Sequence, residues 1–369
     1  MTRITQSDVA RAAGVHNTTV SLALRDSPNI PEATRKRIKA VAEELGYRPD
    51  PALQALVAYR HSRVGNRRQG TLAYVTNSES KYGWRDDPAE LSYHAGAAQK
   101  AAEAGFHLEH FWLGEHSPRR LSSMLFHRGI TGVIFASDCG DSDRAADFEF
   151  ERVSAVAIGC FRTSPPLHRV VSDFGTAMRR DIRQARDCGY RRIGLVMPKA
   201  RDDRADQVWS TTFLVEQSRV PASERIPVLH YGSALRAAER GAIPGLIFQD
   251  WFDRNRPDVV FAFTPPPPAA RETFGAEPPG WINLGLQPTD DGQTGVRENC
   301  LRVGELAADF VVNQMLRNIR GVPTIPTTTL VECSWVVGES VPSRSPFSAW
   351  QPAQSPATAY TNALVMTGP

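Results

Sequence analysis

The fold of the N-terminal part of this chain is decided by residues 8–24, which read DVARAAGVHNTTVSLAL. The apolar residues before Gly14 fall on one face of a short helix, and Gly14 stands where a tight turn is expected. A second helical pattern follows over residues 17–24. Two short helices joined by a glycine-containing turn predict a helix-turn-helix, whose second helix can lie in the major groove of DNA. Any small helical bundle could contain such a turn, so the neighbouring segments matter.

A third helix is predicted over residues 32–45. Pro31 and Glu32 suit its first turn, because proline needs no amide donor there and a carboxylate complements the positive helix end. Gly46 stands where glycine favours the end of a helix. The apolar residues at positions i, i+3, i+4 and i+7 define one buried stripe: Ile38, Val41, Ala42 and Leu45.

Residues 50–58 predict a short additional helix, with Asp50 as its N-cap and Pro51 in its first turn. Residues 60–70 form a polar, basic linker. Residues 1–69 contain 12 Lys and Arg against 6 Asp and Glu, a net charge of +6, although the whole chain carries only +3. A basic head fits a polyanionic partner, but a solvated arginine-rich surface would show the same charge.

From residue 71 onward, short apolar runs alternate with helical stretches. This alternation predicts an α/β domain with parallel doubly wound sheets, and about 270 residues of this kind favour two lobes. The predicted strands are Thr71–Thr76, His107–Trp112, Gly132–Ala136, Ala155–Ile158, Ile193–Met197, Pro227–Tyr231, Leu246–Phe248, Val259–Phe263, Trp281–Leu284 and Thr327–Glu332. A tail rich in Ser, Pro and Ala begins at about Val341, and we expect it to be disordered.

Five widely spaced cysteines without a CxxC pair argue against a disulfide framework and against a structural zinc site. The N-terminus has no apolar segment typical of a secretory signal, and no apolar run of about 18 residues could span a membrane. We therefore expect a cytoplasmic protein that binds neither a metal nor a cofactor.

Together these segments resemble the LacI/GalR family of bacterial repressors, closely over residues 4–58 and more loosely to about residue 340. The shared pattern consists of Asp8-Val9-Ala10, Ala13-Gly14-Val15, Thr19-Val20-Ser21, Thr34-Arg35 and Leu45-Gly46-Tyr47-x-Pro49. The resemblance implies an N-terminal all-α helix-turn-helix domain (1–49) and a hinge helix with linker (50–69). An α/β two-lobed, periplasmic-binding-protein-like domain (70–340) would bind an effector and dimerise, and a tail (341–369) would follow.

The resemblance also implies which side chains contact DNA. Asn17, Thr18 and Leu22 occupy positions that face base edges, where asparagine suits adenine and leucine can meet only an apolar group such as the thymine methyl. Contacts to phosphate are implied for Thr5, Thr19, Ser21 and Tyr47.

In the hinge, Leu56 matches the leucine that family members insert into the minor groove, where an apolar wedge kinks the duplex. Leu53 lies on the same helix face, so a packed helix pair is the alternative interpretation. Two departures weaken the comparison: Asp50 replaces the usual Asn, and Leu53 replaces the usual Ala.

Ligands of open α/β sheets bind beyond the carboxyl ends of the strands, and the resemblance places an effector between the two lobes. The candidates beyond predicted strand ends are Asn77, Trp84, Tyr93, Ser137, Asp138, Phe161, Asp206, Trp209, Phe263, Thr264 and Gln287. Trp209 and Gln287 stand where sugar-sensing relatives usually carry Arg and Asp. Trp209, Trp84 and Phe161 could stack on a ring, or could simply belong to the core.

These patterns predict a sequence-specific DNA-binding transcription regulator, expected to be a homodimeric repressor of a pseudo-palindromic double-stranded operator. A small-molecule effector, such as a sugar or another ring-containing metabolite, would modulate it. An enzyme is the first alternative, but no G-x-S-x-G, H-E-x-x-H, Walker or Rossmann motif occurs. A secreted solute receptor lacks support because no signal segment is visible. A regulator that responds to a protein instead of a metabolite stays open.

Overall fold

A computed structural model describes residues 6–24, 30–45, 47, 70–139, 147–159, 165–232, 243–274, 278–287, 290, 292–342 and 344. The helices are α1 (Gln6–Ala13), α2 (Asn17–Leu24), α3 (Glu32–Glu44), α4 (Pro88–Glu103), α5 (Pro118–His127), α6 (Phe174–Asp187), α7 (Lys199–Arg204), α8 (Val208–Ser218), α9 (Gly245–Asn255), α10 (Pro268–Thr273) and α11 (Cys300–Leu316). The strands are β1 (Gly70–Thr76), β2 (Phe106–Trp112), β3 (Gly132–Phe135), β4 (Ser154–Ile158), β5 (His168–Ser172), β6 (Ile193–Pro198), β7 (Leu229–Tyr231), β8 (Val259–Ala262), β9 (Gly280–Asn283), β10 (Gly295–Arg297), β11 (Thr328–Val331) and β12 (Ser334–Val336).

The first three helices form a small domain with its own apolar core. The turn between α1 and α2 has Gly14 at a φ of +63°, a left-handed conformation that glycine adopts without steric cost. The N–H of Val15 donates to the carbonyl of Ala10 (3.0 Å), which closes the end of α1. The buried side chains are Val9, Ala10, Ala13, Val20, Ala23, Ile38 and Ala42. The predicted helix-turn-helix is therefore confirmed.

One cationic side chain of α3 also links this helix to α1. Arg37 donates from Nη1 to the carbonyl of Ala13 (2.9 Å), at the end of α1. Lys36 forms an ion pair with Glu32 (2.8 Å) one turn earlier. Cations near the last carbonyls of a helix satisfy acceptors that the helix itself leaves open. The basic run that the sequence shows in α3 thus has a structural role within the domain.

Two six-stranded sheets follow, which we call lobe 1 and lobe 2. The order in lobe 1 is β11-β5-β4-β3-β1-β2, and all of its pairs are parallel. The order in lobe 2 is β12-β10-β9-β8-β6-β7, parallel except for the antiparallel pair of β10 and β12. Consecutive residues of β1 enter different cores on opposite faces of the sheet, Tyr74 in one and Val75 in the other. Both faces are covered, as in a doubly wound fold.

The chain crosses between the lobes three times. It leaves lobe 1 after Ser172, returns from β10 through residues 298–299 into α11, and passes from β11 to β12 through residues 332–333. Helix α11 packs on α4 and on strands of lobe 1. Lobe 1 is therefore built from two separate stretches of chain.

Helices α4 and α11 touch backbone to backbone. A Cβ atom on Gly304 would lie 2.0 Å from the carbonyl oxygen of Tyr93, and one on Gly96 would lie 2.0 Å from that of Leu301. Only glycine fits at both positions, because real Cβ contacts are never this short. This crossing fixes Tyr93 relative to the start of α11.

The strand predicted over residues 246–248 is wrong, because these residues begin α9. Phe248, Trp251 and Phe252 are buried at helical spacing, whereas Leu246 is 89% exposed. The sequence analysis also missed β5, β10 and β12. At the C-terminal end, Val341 is buried and the N–H of Arg344 donates to the carbonyl of Cys188 (2.8 Å), so packed chain extends past residue 341.

Candidate functional site

The predicted DNA-reading surface lies on α2. Leu22 is 38% exposed although it is apolar, and it points away from the core that Val20 and Ala23 enter. Thr19 is half-buried on the same helix. Tyr47 packs against the three-helix core, and its N–H donates to the carbonyl of Ala42 (2.8 Å). The side chains of Asn17, Thr18 and Ser21, and the whole of Thr5, Leu53 and Leu56, lie outside the described residues.

The carboxyl ends of the strands of the two lobes meet at Glu298, which follows β10 of lobe 2. Its Oε2 accepts hydrogen bonds from two hydroxyls of lobe 1, Tyr93 on α4 (3.1 Å) and Ser172 at the end of β5 (3.2 Å). Burial raises the pKa of Glu298 above its ordinary value. Burial, followed by the charge of Glu298, raises the pKa of Tyr93 well above its own. A hydrogen-bonded carboxylate therefore joins the lobes.

Aromatic rings cover the same edge of lobe 2. Trp209, only 1% exposed, lies between Phe174 at a centroid distance of 4.7 Å and Phe263 at 5.4 Å. The guanidinium of Arg201 lies 3.9 Å from the centroid of the Phe263 ring. A ligand that stacks on Trp209 would have to displace one of these two rings.

Lobe 1 contributes a second aromatic group around Trp84, which is 4% exposed. His94 and His110 lie 4.7 and 5.3 Å from Trp84 between ring centroids, and Tyr74 lies 6.2 Å away. Burial lowers the pKa of both His94 and His110 to about 4, so both imidazoles are neutral at pH 7. The predicted Trp84 therefore belongs to a packed cluster.

A buried carboxylate, Glu90, lies next to this cluster. It accepts hydrogen bonds from the hydroxyl of Ser137, after β3, and from that of Tyr74 (3.5 Å). Its charge also contributes to the raised pKa of Tyr93. The predicted positions Ser137 and Tyr93 are thus linked through an acid that the sequence analysis did not select.

The remaining predicted effector residues are more scattered. Asn77 is buried at the end of β1. Asp206 is exposed at a φ of +53° in the turn between α7 and α8. The side chain of Gln287 donates to the carbonyl of Gly285 within its own loop (3.2 Å). The side chain of Asp138 and all of Phe161 lie outside the described residues.

The sequence analysis missed Glu298, Ser172 and Arg201 at this edge. Ser172 and Glu298 end the overlooked strands β5 and β10, so the rule that selected the other candidates would have found them had those strands been recognised. Arg201 lies three residues after β6, on α7. An arginine a few residues after a predicted parallel strand was the available signal.

The helix-turn-helix and the two-lobed body define a class of DNA-binding transcription regulators, and comparisons with known proteins agree. The family model described as "Bacterial regulatory proteins, lacI family" matches residues 5–50. Catabolite control protein A of Priestia megaterium is 22% identical over 271 residues, covering 71% of this chain and 74% of that protein. The regulator GalR of Salmonella typhimurium is 29% identical over 230 residues, or 60% of this chain and 62% of GalR.

Solved structures show the same fold. The transcriptional regulator CelR in complex with cellobiose matches with a TM-score of 0.53 and 21% identity, and the lac repressor dimer bound to operator and the anti-inducer ONPF with 0.52 and 16%. Each match covers 92% of this chain and 100% of the other chain. Residues 5–50 thus match the LacI family model, and the chain as a whole is similar to LacI-family regulators. Within the described ranges, no helix has the length and apolar character needed to cross a membrane.

Proposed function

We propose that the chain is a homodimeric repressor that reads a pseudo-palindromic operator and responds to a small molecule held between the lobes. Residues 1–49 would read DNA, residues 50–69 would form the hinge and linker, and residues 70–340 would sense the effector and dimerise. A two-fold dimer suits a palindromic site, because each protomer presents the same helix to one half-site. The relatives named above are regulators, which agrees with a function other than catalysis.

For DNA reading, we propose α2 as the recognition helix. Asn17, Thr18 and Leu22 would face base edges, and Thr5, Thr19, Ser21 and Tyr47 would contact phosphates. Leu53 and Leu56 would enter or flank the minor groove. The support from the structure is the exposed position of Leu22 on a helix whose side chains Val20 and Ala23 are buried.

For sensing, we propose the edge where Glu298 accepts hydrogen bonds from both Tyr93 and Ser172. This is the observation that carries the proposal, because separation of the lobes would break bonds to a half-buried carboxylate. Asn77, Trp84, Asp138, Phe161, Asp206, Trp209 and Gln287 complete the proposed surroundings. CelR is known in complex with cellobiose and the lac repressor with ONPF, so a ring-containing metabolite is the class of effector that we propose.

The mechanism that we propose is a population shift between two arrangements of the lobes. A ligand changes operator affinity only if it binds one arrangement more tightly than the other. The bonds at Glu298 stabilise the arrangement described here. A ligand that competes for these bonds would favour a different arrangement, whereas a ligand that leaves them intact would favour this one, and dimer geometry would transmit the change to the hinge.

The reading function is tested by selecting genomic DNA fragments on the purified full-length chain at moderate salt. We expect a pseudo-palindrome, and recovery of unrelated sequences both with and without cell metabolites would contradict the proposal. On the selected operator, we expect Leu22→Ala to weaken binding about five-fold through loss of an apolar base contact worth about 1 kcal/mol. Leu214→Ala, at a 53% exposed leucine of lobe 2, is the matched control and should bind normally.

A further inference from the structure

Arg201 has an unusual position at the carboxyl edge of lobe 2. It extends from α7, beyond β6, and its guanidinium lies over the ring of Phe263, which follows β8. One of its terminal nitrogens would be 3.9 Å from a Cβ atom on Gly285, which follows β9. Strands β6, β8 and β9 are neighbours in the sheet, so this side chain spans three strand ends.

The nearby acids do not neutralise Arg201. Asp202 is bound by His230 (2.9 Å), and Asp203 is bound by Lys199 (2.9 Å). Among the described residues, no carboxylate lies within ion-pair distance of the Arg201 guanidinium. Its planar face is occupied by Phe263, and no residue with a described position accepts a hydrogen bond from the N–H donors at its edge. A guanidinium held in this way is prepared for two parallel hydrogen bonds to an oxyanion.

Glu298 offers the complementary group at the same edge. In the described part of the chain, its hydrogen bonds from Tyr93, Ser172 and Cys300 all end on Oε2, which leaves Oε1 as an open acceptor. The charge of Arg201 lowers the pKa of Glu298, against the effect of burial, so the two side chains are electrostatically coupled. Oε1 can accept a hydroxyl of a ligand.

We infer that the effector is a small hydroxylated organic anion, whose carboxylate or phosphate is bound by Arg201 and whose hydroxyl donates to Oε1 of Glu298. This inference rests on the proposed function, since it names the chemical class of the ligand between the lobes. A neutral sugar could offer Arg201 only uncharged hydroxyl acceptors, which form weaker hydrogen bonds with a guanidinium than the paired oxygens of an oxyanion do. Sugar acids and sugar phosphates share the required chemistry.

The test compares glucose, glucuronate and glucose 6-phosphate as probes of the full-length chain at constant ionic strength. Binding is measured by thermal shift and by isothermal titration calorimetry. We expect at least one of the two anions to bind and to raise the melting temperature, with glucose about ten-fold weaker or more. Comparison of glucuronate with glucose 6-phosphate shows whether the site prefers a carboxylate or a phosphate.

Substitutions then test whether Arg201 and Glu298 bind the ligand. Arg201→Gln should abolish the preference for the anion, and Arg201→Lys should retain only part of it, because a lysine cannot present the planar pair of donors. Arg254→Gln, at an exposed arginine of α9 that pairs with Asp250, makes the same charge change elsewhere and should have no effect. Glu298→Gln should tighten the binding of inorganic phosphate, since it removes a like charge, whereas Arg201→Gln should weaken it.

Three results would overturn the inference: binding of glucose as tight as that of the anions, an unchanged preference in Arg201→Gln, or no response to any anion. The proposed function has a separate test, in which a cell metabolite fraction is added to the operator complex. A change in operator affinity without anion binding would reject the anion and retain the sensor. No change in either experiment would reject both.

Discussion

Each lobe is built on a six-stranded, mainly parallel sheet, but the helices of the two lobes pack in different ways. In lobe 1, α4 and α11 meet through glycines, with backbone atoms in direct contact at Gly96 and Gly304. In lobe 2, α6 and α8 meet through side chains, where Phe174 and Trp209 lie 4.7 Å apart between ring centroids. Each of the two helix pairs also carries a buried acid, Glu90 on α4 and Asp181 on α6.

This difference indicates how each lobe can respond to a ligand. A contact between two backbones cannot adjust without moving a whole helix, whereas aromatic side chains can change rotamer and repack. Lobe 1 therefore provides a fixed platform that holds Tyr93, and lobe 2 provides the adaptable side of the proposed site.

The largest change in stability is expected for a substitution that overpacks the contact between α4 and α11. Gly304→Ala places a Cβ atom 2.0 Å from the carbonyl oxygen of Tyr93, so α4 and α11 must separate. We expect the free energy of unfolding to fall by about 3 kcal/mol, measured by chemical denaturation. Gly245→Ala is the control, because its new Cβ atom would meet only Pro267 at 4.0 Å. Equal stabilities of the two variants would show that the helix spacing is adjustable.

The next effect concerns the buried acid of lobe 2. Burial raises the pKa of Asp181 to about 7, although Arg180 donates to it at 2.8 Å. The folded protein thus holds this proton more tightly than the unfolded chain does. The contribution of Asp181 to the free energy of unfolding should therefore be most favourable below about pH 4, and it should fall as the pH rises to about 7.

Asp181→Asn removes this titration. We expect the variant to gain roughly 2 kcal/mol relative to the parent protein between pH 5 and pH 8, measured as the difference in unfolding free energy. Asp187→Asn makes the same change at an exposed position of α6 and serves as the control. Parallel pH profiles of Asp181→Asn and the parent protein would contradict the assignment.

The smallest change in stability is expected at the aromatic contact of Trp209 in lobe 2. Trp209→Phe removes more atoms than Gly304→Ala adds, yet Phe174 and Phe263 can close around the smaller ring. We expect a loss of about 1.5 kcal/mol by chemical denaturation, against about 3 kcal/mol for Trp209→Ala, which leaves a cavity. Similar losses for both variants would mean that lobe 2 packs as rigidly as lobe 1.

The sequence predicted those parts of the fold that depend on local patterns. The apolar stripe of α3 and the turn at Gly14 were predicted because their determinants lie within a few residues of each other. The three-residue strand β10 is too short to show a pattern of its own. The run at Leu246 misled the analysis because three apolar residues fit a strand or the first turn of a helix equally well.

The candidate site was predictable only in part, for a related reason. Tyr93 and Trp209 were selected because each follows a strand that the sequence reveals. Glu298 is 205 positions from its partner Tyr93, and only the returning chain brings the two together. Arg201 was missed because its significance depends on its contact with Phe263, which follows the neighbouring strand β8.

Because the chain crosses between the lobes three times, cleavage of one connection would not separate the two lobes. A cut at Asp173, between β5 and α6, would leave α11 on the same fragment as lobe 2 but packed in the core of lobe 1, with β11 still paired to β5. The two fragments would remain associated through this shared core. Neither lobe is therefore encoded by one continuous gene segment.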